Sequence, residues 1–336
     1  VRNAASSLEL LRMLDEEVLR EYFVWVKECA TSRELPVHWR EMVYTLLKKK
    51  HGDQRRVRKM REIALMDQTL KLMLRCVKRL SFDRLVGRTG EHNKGWIPGH
   101  GALDAAFIAD CVLGQARELK HDIFILWLDL AQFFPSIKRV PRRFAEWMVG
   151  LPEDVALLAR SVFEGMNARF NTAHGLSDRY EILGGDLMGC ILSPDHARMV
   201  LTAVSVAVAA VSAGVKIWGC DAKARYVCQT MMADDWKGFN TTELSLREQW
   251  RVWVDYSLAS GSPIGFAGLE KTVVAAGRYK AGKWVNVPVR LEIPQGEGGM
   301  QGAPKCVPQL SVRQVYPHMG ILRAICGDRQ PFMKKL

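Results

Sequence analysis

The run Asp122-Ile123-Phe124-Ile125-Leu126-Trp127-Leu128-Asp129-Leu130 is almost unbroken apolar sequence closing on a carboxylate. Its apolar residues are rich in β-branched and aromatic types. Over so short a length that pattern predicts a strand buried on both faces, with Asp129 at its end. A second strand is expected at Tyr226-Val227-Cys228-Gln229-Thr230-Met231-Met232-Ala233, stopping at Asp234-Asp235. Trp236-Lys237-Gly238-Phe239 then reads as the return strand of a hairpin.

Helical spacing surrounds these strands. Leu8, Leu11, Leu14, Val18, Tyr22, Trp25 and Cys29 recur every three or four positions, so 7–30 is expected to be a helix capped at Ser6 or Ser7. Helices are also expected over 67–86, 102–119, within 141–169, and over the Trp-rich 243–260. Residues 36–50 and 55–65 frame a polar turn and predict a hairpin. Between Lys48 and Arg61 lie eight Lys or Arg and one Asp, which reads as a binding surface or a solvated face. Gly87 to Gly101 is expected as a loop, and 280–310 as short strands and loops. The seventeen uncharged residues between Arg198 and Lys216 are Ala-rich, and read as a buried helix rather than a membrane span. The mixture is α+β.

Composition agrees. The chain has 336 residues, 48% apolar and 25% charged, which excludes a disordered tail, a collagen-like fibre and a disulfide scaffold. Its net charge of +12 suits a polyanionic partner, or a basic surface kept for solubility. Eight scattered Cys form no CxxC pair, and read as thiols in a reducing, intracellular compartment. No signal-peptide pattern opens the chain; it starts on Val1 and reads as a fragment.

The carboxylates are the chemistry-bearing feature. Adjacent Asp234 and Asp235 in an apolar setting repel each other and lose hydration. A hard divalent cation relieves both costs, and Mg²⁺ is commonly held by one or two carboxylates plus substrate phosphates. Asp-Asp is equally ordinary turn chemistry, and Asp129 an ordinary strand end.

Flanking residues carry a resemblance. Leu128-Asp129-Leu130-Ala131-Gln132-Phe133-Phe134-Pro135-Ser136-Ile137 resembles the first catalytic motif of reverse transcriptases. Met232-Ala233-Asp234-Asp235 resembles their Ala-Asp-Asp signature. Gly189-Cys190-Ile191-Leu192-Ser193-Pro194 is similar to the intervening motif, with Met188 where that family carries Gln. Gly268-Leu269-Glu270-Lys271-Thr272 resembles the lysine-bearing motif, and Tyr316-Pro317-His318-Met319-Gly320 the primer grip. Upstream, Pro36, Trp39, Lys48–Lys50 and Arg61-Glu62-Ile63-Ala64-Leu65 resemble the fingers of non-long-terminal-repeat enzymes, with Glu62 in place of Pro. Trp96-Ile97-Pro98-Gly99-His100-Gly101-Ala102 is similar to the next block. The blocks run in family order from about 36 to 320. Phe133–Ile137 is also similar to bacterial and retron-like enzymes, but the whole resembles a divergent LINE-like element.

That resemblance implies a right-hand polymerase fold, with an antiparallel palm sheet packed on helices and an absent or vestigial thumb. It implies an N-terminal helix and fingers over 1–118 and a palm over 119–325. A helical insertion at 141–183 would serve fingers or palm, and 326–336 would lead toward a thumb. No endonuclease or RNase H region is read.

The implied activity is RNA-directed DNA synthesis from a DNA or RNA primer, an RNA template and dNTPs, with two Mg²⁺ ions that Mn²⁺ can replace. Asp129, Leu130, Asp234 and Asp235 are the implied metal residues. Asp129, Asp234, Asp235 and Lys271 are the catalytic ones. Lys48, Arg58, Arg61, Leu130, Phe133, Phe134 and Gly189 would meet the nucleotide, and Ser193, Pro194, Met319 and Gly320 the template or primer. Phe134 would exclude a 2′-hydroxyl, or serve as a core aromatic. A eukaryotic LINE-like element would place the protein in the nucleus; otherwise the resemblance leaves the intracellular compartment open. An RNA-directed RNA polymerase and a retired, binding-only chain are the competing readings.

Overall fold

The computed structural model describes residues 12–48, 60–219, 221–266, 271–293, 305–314, 316–318, 321–323 and 325–326. In chain order its principal helices are α1 Glu16–Ser32, α2 Gln68–Val77, α3 Ala102–Glu118, α4 Arg139–Met148, α5 Glu153–Phe163, α6 Ser193–Val211 and α7 Glu243–Ser260. The principal strands are β1 Glu41–Lys48, β2 Met60–Leu65, β3 Ile123–Leu128, β4 Asn167–Thr172, β5 Gly175–Leu176, β6 Tyr180–Glu181, β7 Val215–Trp218, β8 Ala224–Val227, β9 Gln229–Met232, β10 Asp235–Asn240, β11 Val273–Lys280 and β12 Lys283–Asn286. The chain divides into two compact units: 1–88 with 137–199, and 89–136 with 200–336.

The first unit is built on a mixed sheet ordered β2-β1-β4-β5, with β6 also on β4. β1 and β2 are antiparallel, Val43 opposite Leu65, as the basic hairpin predicts. β1 also lies parallel to β4, a pairing no local pattern signals. Tyr44, Phe170 and Tyr180 stack across the sheet, with ring centroids 5.4 and 5.6 Å apart.

Beyond the sheet, charged side chains are buried together. Arg142 donates to Asp186 at 2.8 Å and Arg160 to Glu146 at 3.1 Å. His196 Nδ1 lies 3.3 Å from Asp186. Buried charges are tolerable when each meets an opposite one. The paired Asp186 anchors the loop that carries Met188 and Gly189.

The second unit is a sheet ordered β12-β11-β3-β10-β9, antiparallel throughout, with Gln309–Leu310 added parallel to β11. β3 lies at its centre and every residue in it is buried, as its unbroken apolar sequence demands. Alternation splits its side chains between two faces. Ile123, Ile125 and Trp127 join Phe239, Val273 and Ala275 against the Ala109, Val112 and Leu113 face of α3. On the opposite face α7 packs Trp253 on Trp236, ring centroids 5.2 Å apart, and Gln249 accepts from Asn240 at 2.7 Å. Lys237 is buried on the first face with its Nζ 4.9 Å from the Trp127 ring centroid, a cation–π contact inside the core.

Several sequence expectations need correction. The N-terminal helix is interrupted at Leu14–Asp15, and Asp15 caps a new helix by accepting from Val18 N–H. Helix 67–86 ends at Val77 and continues as a π turn and a 3₁₀ turn to Arg88. Residues 167–169, expected as helix, open β4. The strand expected over 226–233 is two strands broken at Cys228, one pairing with β7 and the other with β10. The apolar run after Arg198 is helical only to Val211, and Val215 starts a strand. Among the described residues no helix is long and apolar enough to cross a membrane.

Candidate active site

The carboxylates meet in the second unit because of strand register. β10 runs antiparallel to β3 with Trp236 opposite Leu128, so the next pair outward sets Asp235 beside Asp129. Asp234 occupies the two-residue turn joining β9 to β10.

Asp129 is fixed on several sides. Its N–H donates to Thr272 Oγ1 at 3.3 Å, and its carbonyl accepts from Gly265 N–H at 2.7 Å. Lys271 Nζ donates to its Oδ1 at 2.8 Å. A Cβ on Gly265 would fall 2.4 Å from Asp129 Oδ2, so only glycine leaves the carboxylate room. Lys271 is held in turn by Tyr316, whose hydroxyl donates to its carbonyl at 2.6 Å.

Asp235 is pushed up to about 6 from the ordinary carboxylate value. Lost hydration contributes most, then the like charges of Asp234 and Asp129, while Lys271 pulls the other way. Asp235 is nevertheless exposed to solvent. The region therefore concentrates negative charge at one end of the central strands, with Lys271 against it.

The turn is held from outside. Asn93 Oδ1 accepts from Ala233 N–H at 3.2 Å and from Gly95 N–H at 2.8 Å, while its Nδ2 donates to the Ala233 carbonyl at 3.3 Å. Gly95 packs so close that a Cβ there would lie 2.3 Å from Ala233 N. Ala233 (φ 60°), Gln132 (φ 50°) and Trp96 (φ 58°) are all left-handed non-glycine residues in this unit. Such strain persists only where surrounding contacts enforce it.

Asn93, Gly95 and Gly265 hold the carboxylates in place without any signal in the sequence, while Thr272 lies in the motif that carries Lys271. Nothing local points to Asn93, whose partner is 140 residues away.

Other predicted residues fall as follows. Leu130 and Phe133 are buried, at 3% exposure each, so only their backbones can face a ligand; Leu130 forms an isolated bridge with Ile264. Phe134 is half-buried with its ring edge-on to Trp96, centroids 5.6 Å apart. Lys48 and Arg61 are exposed on β1 and β2 of the first unit. Gly189, also in that unit, has φ +114°, and a Cβ there would meet the Ala64 carbonyl at 2.5 Å. Its neighbour Met188 accepts from Ala64 N–H at 2.7 Å. Ser193 is buried and accepts from Leu187 N–H at 3.1 Å, which fixes the same loop, and Pro194 follows it in the first turn of α6. Arg58, Met319 and Gly320 lie outside the described residues.

Among the described residues, no three His, Cys, Asp or Glu side chains converge closely enough to form a metal cage by themselves. Two facing carboxylates plus a substrate's phosphates are instead the usual Mg²⁺ arrangement. The like charges of Asp129 and Asp234 beside Asp235 are what a hard cation would relieve, so the chemistry of these residues suits that group.

No family model matches the chain, and no curated protein does. Among solved structures, its fold is similar to that of an apo telomerase from Candida tropicalis truncated from its C-terminal domain. The likeness has a TM-score of 0.51 at 11% identity, and covers 80% of this chain and 58% of that one. The chain thus spans less than two thirds of the length of that structure, and the likeness is one of fold.

Proposed function

We propose that the chain is an RNA-directed DNA polymerase that extends a primer 3′-hydroxyl with dNTPs on an RNA template. The observation carrying this reading is the register that sets Asp235 beside Asp129, with Asp234 in the adjoining turn, in a fold similar to that of a telomerase. The second unit would be the palm and the first would carry the fingers.

Asp129 and Asp234 would hold Mg²⁺, with Asp235 beside them. When bound, the ions supply charge neutralisation on the triphosphate and a lowered pKa at the primer hydroxyl. The protein's own share is positioning. Asn93 and Gly95 fix the Asp234 turn. Gly265 and Thr272 fix Asp129. Lys271, which donates to Asp129, would meet the triphosphate. Phe134, braced by Trp96, would close the space a 2′-hydroxyl needs, which favours dNTP over rNTP. Lys48 and Arg61 would contact phosphates, Arg in bidentate fashion.

A binding-only chain on this fold is the second reading. It is favoured by the Lys271 ammonium seated on Asp129 and by Met188 in the loop where the resembled family carries Gln. Primer extension on an RNA template with Mg²⁺ or Mn²⁺ separates the two. Incorporation of dNTPs that Asp234→Ala abolishes, with template binding retained, supports the polymerase. Extension by rNTPs alone makes it an RNA polymerase, and no incorporation under any condition leaves the binding-only chain.

A further inference from the structure

Helix α4 is built inside out. Its buried positions include Arg142 and Glu146, held there by Asp186 and Arg160. Its exposed positions include Val140 at 74%, Phe144 at 55% and Trp147 at 75%. These fall at i, i+4 and i+7 and form one stripe. The Phe144 and Trp147 rings lie 5.9 Å apart, centroid to centroid. An amphipathic helix normally turns its apolar stripe inward; here the ion pairs lock the polar side in and leave the aromatics in water. A contiguous apolar stripe of this kind marks an interaction site.

The rim says what it would take. Lys138 and Arg143 are exposed, and so is Arg88, which donates to the Val149 carbonyl at the C-terminal end of the helix. The one carboxylate on the helix, Glu146, is buried between Arg142 and Arg160 and offers the rim no negative charge. The nearest exposed acids in sequence, Glu153 and Asp154, open the next helix. Rings that stand so far into solvent are not the walls of a groove, so a partner helix finds no concavity to fill. A flat base needs only a ring face, and cations beside the rings suit the adjoining phosphates.

We propose that this face of α4 binds single-stranded nucleic acid, with bases stacked on Phe144 and Trp147 and phosphates on Lys138, Arg143 and Arg88. None of these residues has a role in nucleotide addition above, so failure here leaves the polymerase reading standing.

Single strands of about 20 nucleotides, RNA carrying 4-thiouridine and DNA carrying 4-thiothymidine, test it on the full chain. Photo-crosslinks mapped by mass spectrometry are expected at Phe144 or Trp147. The double variant Phe144→Ser/Trp147→Ser should bind either strand about tenfold more weakly or worse, given the usual strength of base–aromatic stacking. Lys138→Gln/Arg143→Gln should flatten the salt dependence of binding, a readout that survives if the aromatic variant misfolds. Extension of a short, pre-annealed template–primer should be unchanged in both variants. Bound strands that never crosslink within 138–148 overturn the proposal, as does equal crosslinking to a full duplex, whose bases are not free to stack. So does light scattering that shows a wild-type dimer and a monomeric Phe144→Ser/Trp147→Ser, for then the face joins two copies of the chain.

Discussion

The side-chain amide of Asn93 holds the backbone of Ala233 at both ends, accepting from its N–H at 3.2 Å and donating to its carbonyl at 3.3 Å. Ala233 is left-handed at φ 60°, a conformation that costs an L-residue roughly 1–2 kcal/mol. The clamp offsets that cost and sets the direction in which Asp234 and Asp235 leave the turn. Asn93 itself is almost fully buried, so water cannot replace it.

Asn93→Ala is therefore expected to strand the N–H groups of Ala233 and Gly95 and to cost about 2 kcal/mol in urea unfolding. Primer extension should fall further than stability does, on the order of 100-fold, because misplacing a reacting group by about 1 Å has that effect. Asn93→Asp keeps the acceptor but loses the donor, and adds a charge beside Asp234. A variant of undiminished activity would show that the turn keeps its shape without the clamp.

Gly265→Ala should remove activity while sparing the fold. The added methyl would stand 2.4 Å from Asp129 Oδ2 and 3.2 Å from the Asp129 carbonyl oxygen, so it bears on the carboxylate and on the backbone that carries it. Asp129 must then rotate or withdraw from the edge of β3. Circular dichroism close to wild type together with extension reduced at least 100-fold is the expected pair of results. Unchanged extension would mean that Asp129 has slack not visible in its hydrogen bonds.

How much of this was legible beforehand follows from the range of the interactions. β3 could be read because every one of its residues is buried, and burial on both faces leaves a continuous apolar run. The β9–β10 hairpin could be read because a strand, a turn and a strand follow one another directly. The β1–β4 pairing could not, since Glu41 meets Asn167 through a crossover that no local pattern encodes. The break at Cys228 was hidden for a related reason: β8 and β9 are both apolar enough to pass as one strand, and only their different partners separate them. Among the site residues, the carboxylates announce themselves by charge in apolar surroundings. Asn93, Gly95 and Gly265 act by shape and by hydrogen bonds to distant backbone, and leave no periodic trace.

Asp235 predicts a pH dependence with a definite sign. Its carboxyl sits near 6 in the folded chain against an ordinary value of 3.8, so the folded state holds its proton more tightly than the unfolded state. Its favourable contribution is full below about pH 4 and is lost as pH rises through about 6. In metal-free buffer, Asp235→Asn should melt higher than wild type above pH 6, and the two should converge toward pH 4. Millimolar Mg²⁺ at pH 7.5 should narrow the gap by raising wild type, since a cation stabilises the charged form. Parallel melting curves across the whole range would place the carboxylate crowding elsewhere.

On the polymerase reading Phe134 predicts sugar selectivity, and its surroundings say why the ring would act as a barrier. Its neighbour Phe133 is buried in the core at 3% exposure, and the Phe133 and Phe134 ring centroids are 6.0 Å apart. Trp96 meets the same ring edge-on at 5.6 Å. Flanked on two sides, Phe134 cannot easily swing away from a nucleotide, so an extra oxygen at the 2′ position would have to displace it. Removing the ring opens that space at little cost to dNTP, whose sugar never needed it. Phe134→Ala should accordingly raise rNTP incorporation relative to dNTP by about tenfold or more, the scale at which a pocket discriminates a small group. Trp96→Ala should shift the ratio in the same direction but less, because it frees the ring without removing it. If Phe134→Ala lowers both nucleotides equally, the ring supports the short helix Phe133–Ser136 after β3 rather than reading the sugar.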